Sequence, residues 1–324
     1  MKHNIFIFSL FLIYQTSFAQ DYTRYYQLID SAKYFIANED YVKGDYYYQE
    51  GLNSYSGFPN DYDKAILNNY VLHNKLNFYL IKSGFSNGLL YRDLKYSLEQ
   101  YNVPYSKRKL KKIYRKNKLK KKKSALPVHF AMIRDQRSRS KKNGDISKAD
   151  SITGVKLKKW MVKKPHLFNR FETNYYSSEM IGILMIHSGW KNLESVQDKI
   201  YSLTKKGLIH RDVFGSIIER SALYDGYIFT IDSVNQKIAA RQNLESRLCN
   251  DTYYSNIFVG YGGLRDSERQ ATILPPIHHL FSEEEINKLR NHLFFSDVSL
   301  LYGNPRYLKV STEEYCDFME KLGR

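Results

Sequence analysis

Two short series of residues constrain this chain more than anything else in it. Leu28, Ala32 and Phe35 fall at i, i+4 and i+7, and Gly44, Tyr48 and Gly51 repeat that spacing after Asn38-Glu39-Asp40. Such spacing is a helical stripe, not the period of two that a strand requires. Small residues at Ala32, Gly44 and Gly51 let two helix backbones approach closely, while Phe35, Tyr41 and Tyr48 fill the space between them. The pattern specifies a helical hairpin, ended by the helix-stopping run Ser56-Gly57-Phe58-Pro59-Asn60.

The same period extends along most of the chain. A third helix is expected over 63–82, with Ala65, Tyr70, Leu72, Leu76 and Leu80 among its apolar positions. Ser83-Gly84 closes it, and Asn87-Gly88 opens a fourth that reaches Tyr101. After a break at Val103-Pro104 comes a basic helix, and Pro127 begins a second unit. There the pattern gives helices over 148–164, 175–187, 193–206 and 213–224, with Asn143-Gly144 as a turn. Tyr227 to Ile231 reads as a lone strand with no evident partner, and 251–277 as irregular. Ser282 with Glu285 has capping-box spacing, and a short helix is expected over 312–322. The fold class is therefore mainly α: helical hairpins over 20–102, a basic helix or linker over 103–126, and a helical-bundle domain over 127–324.

Residues 1–19 read as an export signal. Lys2 and His3 form a basic lead, Ile5 to Tyr14 is apolar but for Ser9, and Ser17-Phe18-Ala19 carries small side chains at the cut before Gln20. The expected destination is periplasmic or secreted. The apolar run is shorter than the roughly 20 residues a spanning helix needs, and no integral membrane anchor is expected further on. No cysteine lies near the cut to take a lipid. Only Cys249 and Cys316 are present; spacing leaves their pairing open, and two are too few for a structural zinc site.

The formal charge of +17 is concentrated in one place. Residues 107–123 hold twelve Lys or Arg and no acid, so the remainder carries only +5. Export argues against nucleic acid as the natural ligand, leaving an anionic envelope polymer or an acidic protein as the partner of that segment. The alternative is a plain solvated helix, because Leu110, Ile113, Tyr114 and Asn117 recur at helical spacing and leave the lysines outward.

Candidate chemistry begins at His129-Phe130-Ala131-Met132-Ile133-Arg134-Asp135-Gln136-Arg137, where an acid, an amide and a guanidinium follow an apolar run. On a helix Met132, Ile133 and Gln136 share a face, which turns the Gln136 amide inward; Asp135 can pair with Arg139 four residues on. Asp135, Gln136 and Arg137 form either the floor of a polar pocket or a buried tie between helices. Met180, Ile183, Leu184 and His187 stack at helical spacing, so the His187 imidazole is expected in the core, as packing or as a catalytic group. Glu219-Arg220 ends another apolar helix, and at most one of the two can face its interior. His278-His279 and His292 lack metal-ligand spacing, and neither a nucleophile elbow nor a phosphate-binding loop occurs; no cofactor and no metal are expected.

The small and large positions of the first hairpin fall in the order of a tetratricopeptide repeat, which this region resembles over one repeat of about 34 residues. The resemblance implies peptide or protein binding through a concave face. Downstream, Asp135-Gln136-Arg137, a helix ending in Ile186-His187, and Glu219-Arg220 are similar to an uncharacterised bacterial family, domain of unknown function number six thousand six hundred and twenty-four. That family typically has Asp-Gln-x-x-Arg, His-Ala, Asp-Arg and a Tyr-Gly-Thr-Gln turn. Here Ser188 follows the histidine, Glu219 stands for the aspartate, and Tyr261-Gly262 comes much later than the turn; Pro276-Ile277 and Leu289-Arg290 echo the closing segment. The likeness implies that Asp135, Gln136, Arg137, His187, Glu219 and Arg220 converge, and it brings no activity with it. The leading function is protein or peptide interaction through the helical hairpins, with a polar pocket in the C-terminal domain; the alternatives are a secreted hydrolase with His187 as general base and adhesion to anionic envelope polymers through the basic helix.

Overall fold

Each half of the chain builds its own apolar core, and both halves are mainly α. A computed structural model describes residues 20–120, 125–140, 145–173, 175–243, 247–249, 252–253, 264–266, 271–274, 282–297, 299–300, 303, 305 and 307–321. The export signal, Asn143-Gly144, Gly260 to Gly263, Pro276-Ile277 and His278-His279 lie outside these residues.

The N-terminal half comprises α1 (Thr23–Ala37), α2 (Tyr41–Ser54), α3 (Pro59–His73), α4 (Phe78–Ser86), α5 (Tyr91–Gln100) and α6 (Lys107–Asn117). α1 and α2 form the expected hairpin, with Ala32 and Tyr48 buried at their contact. A Cβ on Gly44 would come within 2.4 Å of Ile36 Cγ1, so glycine sets how closely the pair can approach. Phe35 stacks on Tyr47, ring centroids 5.4 Å apart. The single helix expected over 63–82 is two helices. Asn74 adopts a left-handed conformation (φ 48°), which asparagine tolerates, and Asn77 caps α4 by accepting from Tyr79 N at 3.0 Å. The basic segment is not a free linker: Leu110 is buried in the N-terminal core, with Ile113 and Tyr114 packed beside it.

The C-terminal half contains α7 (Leu126–Ser140), α8 (Ile146–Lys163), α9 (Tyr175–Leu193), α10 (Gln197–Lys205), α11 (Arg211–Asp225), α12 (Glu283–His292) and α13 (Thr312–Lys321). α9 is central and touches α7, α8 and α11. Its core contains Leu157, Met161, Ile181, Leu184, Trp190, Phe214 and Ile217, each fully buried side chain contributing about 1.5–3 kcal/mol. α12 starts with a complete capping box, Ser282 Oγ accepting from Glu285 N at 3.2 Å and Glu285 Oε2 from Ser282 N at 2.9 Å.

The strand at 227–231 is not alone. β1 (Tyr227–Ile231) pairs antiparallel with β2 (Ile238–Gln242), Phe229 opposite Ala240. The pairing was hidden because β2 is half polar and buries only Ile238. Further short strands are β3 (Arg247–Cys249) with β4 (Thr252–Tyr253), and β5 (Leu264–Asp266), β6 (Ala271–Leu274) and β7 (Tyr307–Lys309), the last parallel to β6. Cys249 and Cys316 form a disulfide that ties β3 to α13.

Two buried arginines join the halves. Arg170 donates through Nε to Gly207 O at 2.8 Å, through Nη1 to Gly57 O at 2.9 Å and through Nη2 to Ser56 O, with Phe58 and Phe171 rings 4.2 and 4.1 Å from its guanidinium carbon. Arg211 pairs with Asp30 of α1, Nη1 to Oδ2 at 2.8 Å, and lies over Tyr26 and Phe295. Tyr22 N donates to Lys205 O at 2.8 Å beside them.

Candidate acid–base site

Four helices meet where α7, α8, α9 and α11 each contribute one or two polar side chains. The buried stripe of α7 is Val128, Ala131 and Asp135, at i, i+3 and i+7. That stripe is rotated about 100° from the expected one. Gln136 is therefore exposed, as is Ile133, and the inward polar group is Asp135. Arg137 is exposed as well, on the far side of Asp135.

His187 also departs from its expected place in the core. The buried face of α9 runs through Ser177, Ile181, Leu184, Met185 and Ser188, leaving His187 on its edge with a side chain 21% exposed. Its Nδ1 lies 2.7 Å from Asp135 Oδ2. A carboxylate only accepts, so Nδ1 carries a proton and donates it to Asp135. Nε2 makes no hydrogen bond among the described residues.

The network continues from Asp135. Arg139 Nε donates to Asp135 Oδ2 at 3.1 Å and its Nη2 to Asp150 Oδ1. Arg220 Nη2 reaches Asp150 Oδ2 at 3.4 Å. Gln136 Nε2 stands 3.4 Å from Asp135 Oδ2, at the rim. The order is thus His187, Asp135, Arg139, Asp150, Arg220, each carboxyl lying between two nitrogen donors. Glu219, by contrast, is fully buried behind Arg220, as expected of neighbours about 100° apart on a helix.

A break in α9 brings Arg220 to this point. Gly189 has φ 68° and ψ 173°, which interrupts the helix two residues after His187. The freed Trp190 N–H is taken up by Ser221 Oγ at 2.9 Å, fastening α9 to α11. Arg220 Nη1 lies 3.2 Å from where a Cβ on Gly189 would stand, so any larger residue would press on the guanidinium.

The two carboxyl groups are driven apart. Burial would raise Asp135, but the hydrogen bonds from His187 and Arg139, with their charges, outweigh it and hold the group below its ordinary value. At Asp150 burial prevails over Arg139 and Arg220, and the carboxyl is raised. Paired acids with opposed shifts are a recurring arrangement at acid–base sites.

Arg139 had been seen in the sequence only as a surface partner of Asp135. Asp150 was missed. Its signal was present: Asp150, Gly154 and Leu157 form an inward stripe at i, i+4 and i+7 of α8. His292, expected to have no metal role, stacks on Tyr201 at 4.9 Å, and burial lowers its pKa. Among the described residues no group of His, Cys, Asp or Glu could hold a metal ion. Nor is any described helix long and apolar enough to cross a membrane.

A cleft of about 480 Å³ opens between the two halves, and no residue of the network lines it. Met132, Met180 and Ile186 form its apolar side, and Lys33, Asp61 and Asp212 its charged side. Comparison of the chain with models of known families, with curated proteins and with solved structures gives no match.

Proposed function

We propose that the C-terminal helical domain is an acid–base catalyst of hydrolysis, acting on a substrate that carries an anionic group. One observation supports this most: the His187 ring has its Nδ1 on a buried carboxylate and its Nε2 unengaged at a partly exposed position. Asp135 fixes the tautomer and stabilises the imidazolium that forms. Nε2 takes a proton from water as its oxygen attacks the electrophilic centre, and the imidazolium returns that proton to the leaving group. Among the described residues no Ser or Cys hydrogen-bonds Nε2, so water is the nucleophile in this scheme. Arg220, 17% exposed at its side chain, has a single side-chain hydrogen bond among the described residues, leaving donors for the anion. A purely structural tie would be expected to occupy both ring nitrogens or bury the ring.

Activated substrates with negative charge test the reading: p-nitrophenyl phosphate, bis(p-nitrophenyl) phosphate and carboxylate-bearing nitrophenyl esters, on the chain from Gln20 onward. His187→Asn should lower turnover by about 10²–10⁴-fold with helical circular dichroism unchanged. Equal turnover in the variant, or none above the uncatalysed rate across the set, would overturn it.

We infer a second role for the tetratricopeptide-like hairpins, the binding of a peptide. A groove of about 360 Å³ between α1, α2 and α3 is lined by Tyr41, Tyr70, Tyr101, Lys33, Lys64 and Asn68. Asn68 Nδ2 donates to Tyr41 O at 3.1 Å, which fixes the amide orientation and leaves its buried Oδ1 without a partner. A peptide N–H would satisfy that oxygen. Loss of peptide capture in Asn68→Leu would support it. The export expected from residues 1–19 accords with the disulfide.

A further inference from the structure

A cleft that shares no residue with the His187 network is cationic. It has a volume of about 790 Å³, within the range of about 300–1,000 Å³ typical of ligand sites. Its polar lining comes from Arg92 at the start of α5 and from Lys118 and Lys120 just after α6. No acidic residue lines it among the described residues. Asp93 pairs with Arg92 Nε at 3.1 Å from outside the lining, an exposed contact of little energetic weight.

Aromatic rings form the rest of the wall. Tyr114 is held edge-on against Phe85, centroids 5.1 Å apart, and stands 6.0 Å from Tyr91. Tyr176, 41% exposed, faces them with the Arg92 guanidinium 5.7 Å from its ring centre. The floor is fixed by the backbone, Leu119 N donating to Phe85 O at 3.0 Å. Cations with no competing acids call for an anion, and rings of this kind offer apolar faces to a flat, partly polar ligand.

We propose that this cleft binds a segment of acidic polysaccharide, its carboxylate or sulfate groups on Arg92, Lys118 and Lys120 and its sugar faces on Tyr91, Tyr114 and Tyr176. The proposal is independent of the acid–base reading, since it shares no residue with the His187 network. It also differs from diffuse attraction to the lysine-rich helix, because it assigns affinity to three cations in a cleft.

The test sets two triple variants of equal charge side by side. Arg92→Gln, Lys118→Gln and Lys120→Gln together remove the cleft cations. Arg108→Gln, Lys112→Gln and Lys116→Gln remove three exposed cations more than 100° round α6 from Tyr114. The probes are hexagalacturonate and a heparin hexasaccharide, with maltohexaose and inorganic polyphosphate as comparisons, read by isothermal titration calorimetry. The cleft triple should weaken binding of an acidic hexasaccharide by at least about tenfold and the control triple by less than about threefold. Tyr176→Ala should weaken the hexasaccharide and leave polyphosphate unchanged. Equal losses in both triples, no Tyr176 effect, or no binding of either acidic hexasaccharide at low salt would each overturn the proposal.

Discussion

Two arginine systems in this molecule invite comparison. Arg170 and Arg211, at the junction of the halves, are 1% and 3% exposed and lie against aromatic rings. Among the described residues Arg170 has no carboxylate partner and donates to three backbone carbonyls. Arg139 and Arg220, in the His187 network, touch no ring among those residues, and Arg220 Nη2 has one acceptor there, Asp150. The first system is closed and has its geometry fixed by carbonyls that cannot move independently. The second reaches solvent and can take another anion. Sealing distinguishes a joint from a site, although each contains an Arg–Asp pair.

The largest effect should come from breaking the joint. Arg211→Ala removes the cation paired with the part-buried Asp30, leaving it, among the described residues, only the hydrogen bonds from Ser296, and should cost about 3–5 kcal/mol in chemical denaturation. A loss below about 1 kcal/mol would mean that the halves hold together without it. Next comes Gly189→Ala, which forces φ 68° on a residue with a Cβ and crowds Arg220. It should cost about 1–3 kcal/mol and reduce His187-dependent turnover, so unchanged melting and turnover would remove the break from the account.

Asp135→Asn should cost about 1–3 kcal/mol, since it removes the carboxylate shared by Arg139 and His187, although Arg139 keeps Asp150. Asp150→Asn should stay within about 1 kcal/mol, because burial already disfavours its charge. Equal losses in the two variants would erase the contrast between these carboxyls.

The smallest effect is in pH dependence. At Asp30 burial would raise the carboxyl, yet the Arg211 charge and hydrogen bond hold it below its ordinary value, as at Asp135. A lowered folded value stabilises the protein fully above about pH 4, and that stability is lost as pH falls through the folded value. Melting temperature should therefore drop below about pH 4, less steeply in Asp30→Asn. Asp150 acts in the opposite sense: its raised value favours the fold at low pH and is lost as pH rises through it.

Much of the fold was legible because helical period is local. The α1–α2 hairpin and the capping box at Ser282 each depend on residues within one or two turns. Rotational phase was less legible. Met132, Ile133 and Gln136 form as good a stripe as Val128, Ala131 and Asp135, and only the neighbours of α7 decide which one is buried. The same applies to His187, whose helix has apolar residues nearly all round. Asp135, His187 and Arg220 were named from sequence and do meet, Gln136 stays at the rim, and Arg137 and Glu219 point elsewhere.

By itself the sequence determined a mainly helical chain, the hairpin that opens it and one segment of concentrated positive charge. Tertiary structure alone decided that Asp150 joins the network, that Arg170 and Arg211 close the junction, and that Arg92 meets Lys118 across a cleft. Local spacing determines which face a helix can bury. The partner of a charge is chosen by chain segments tens or hundreds of residues away, which only packing brings within hydrogen-bonding distance.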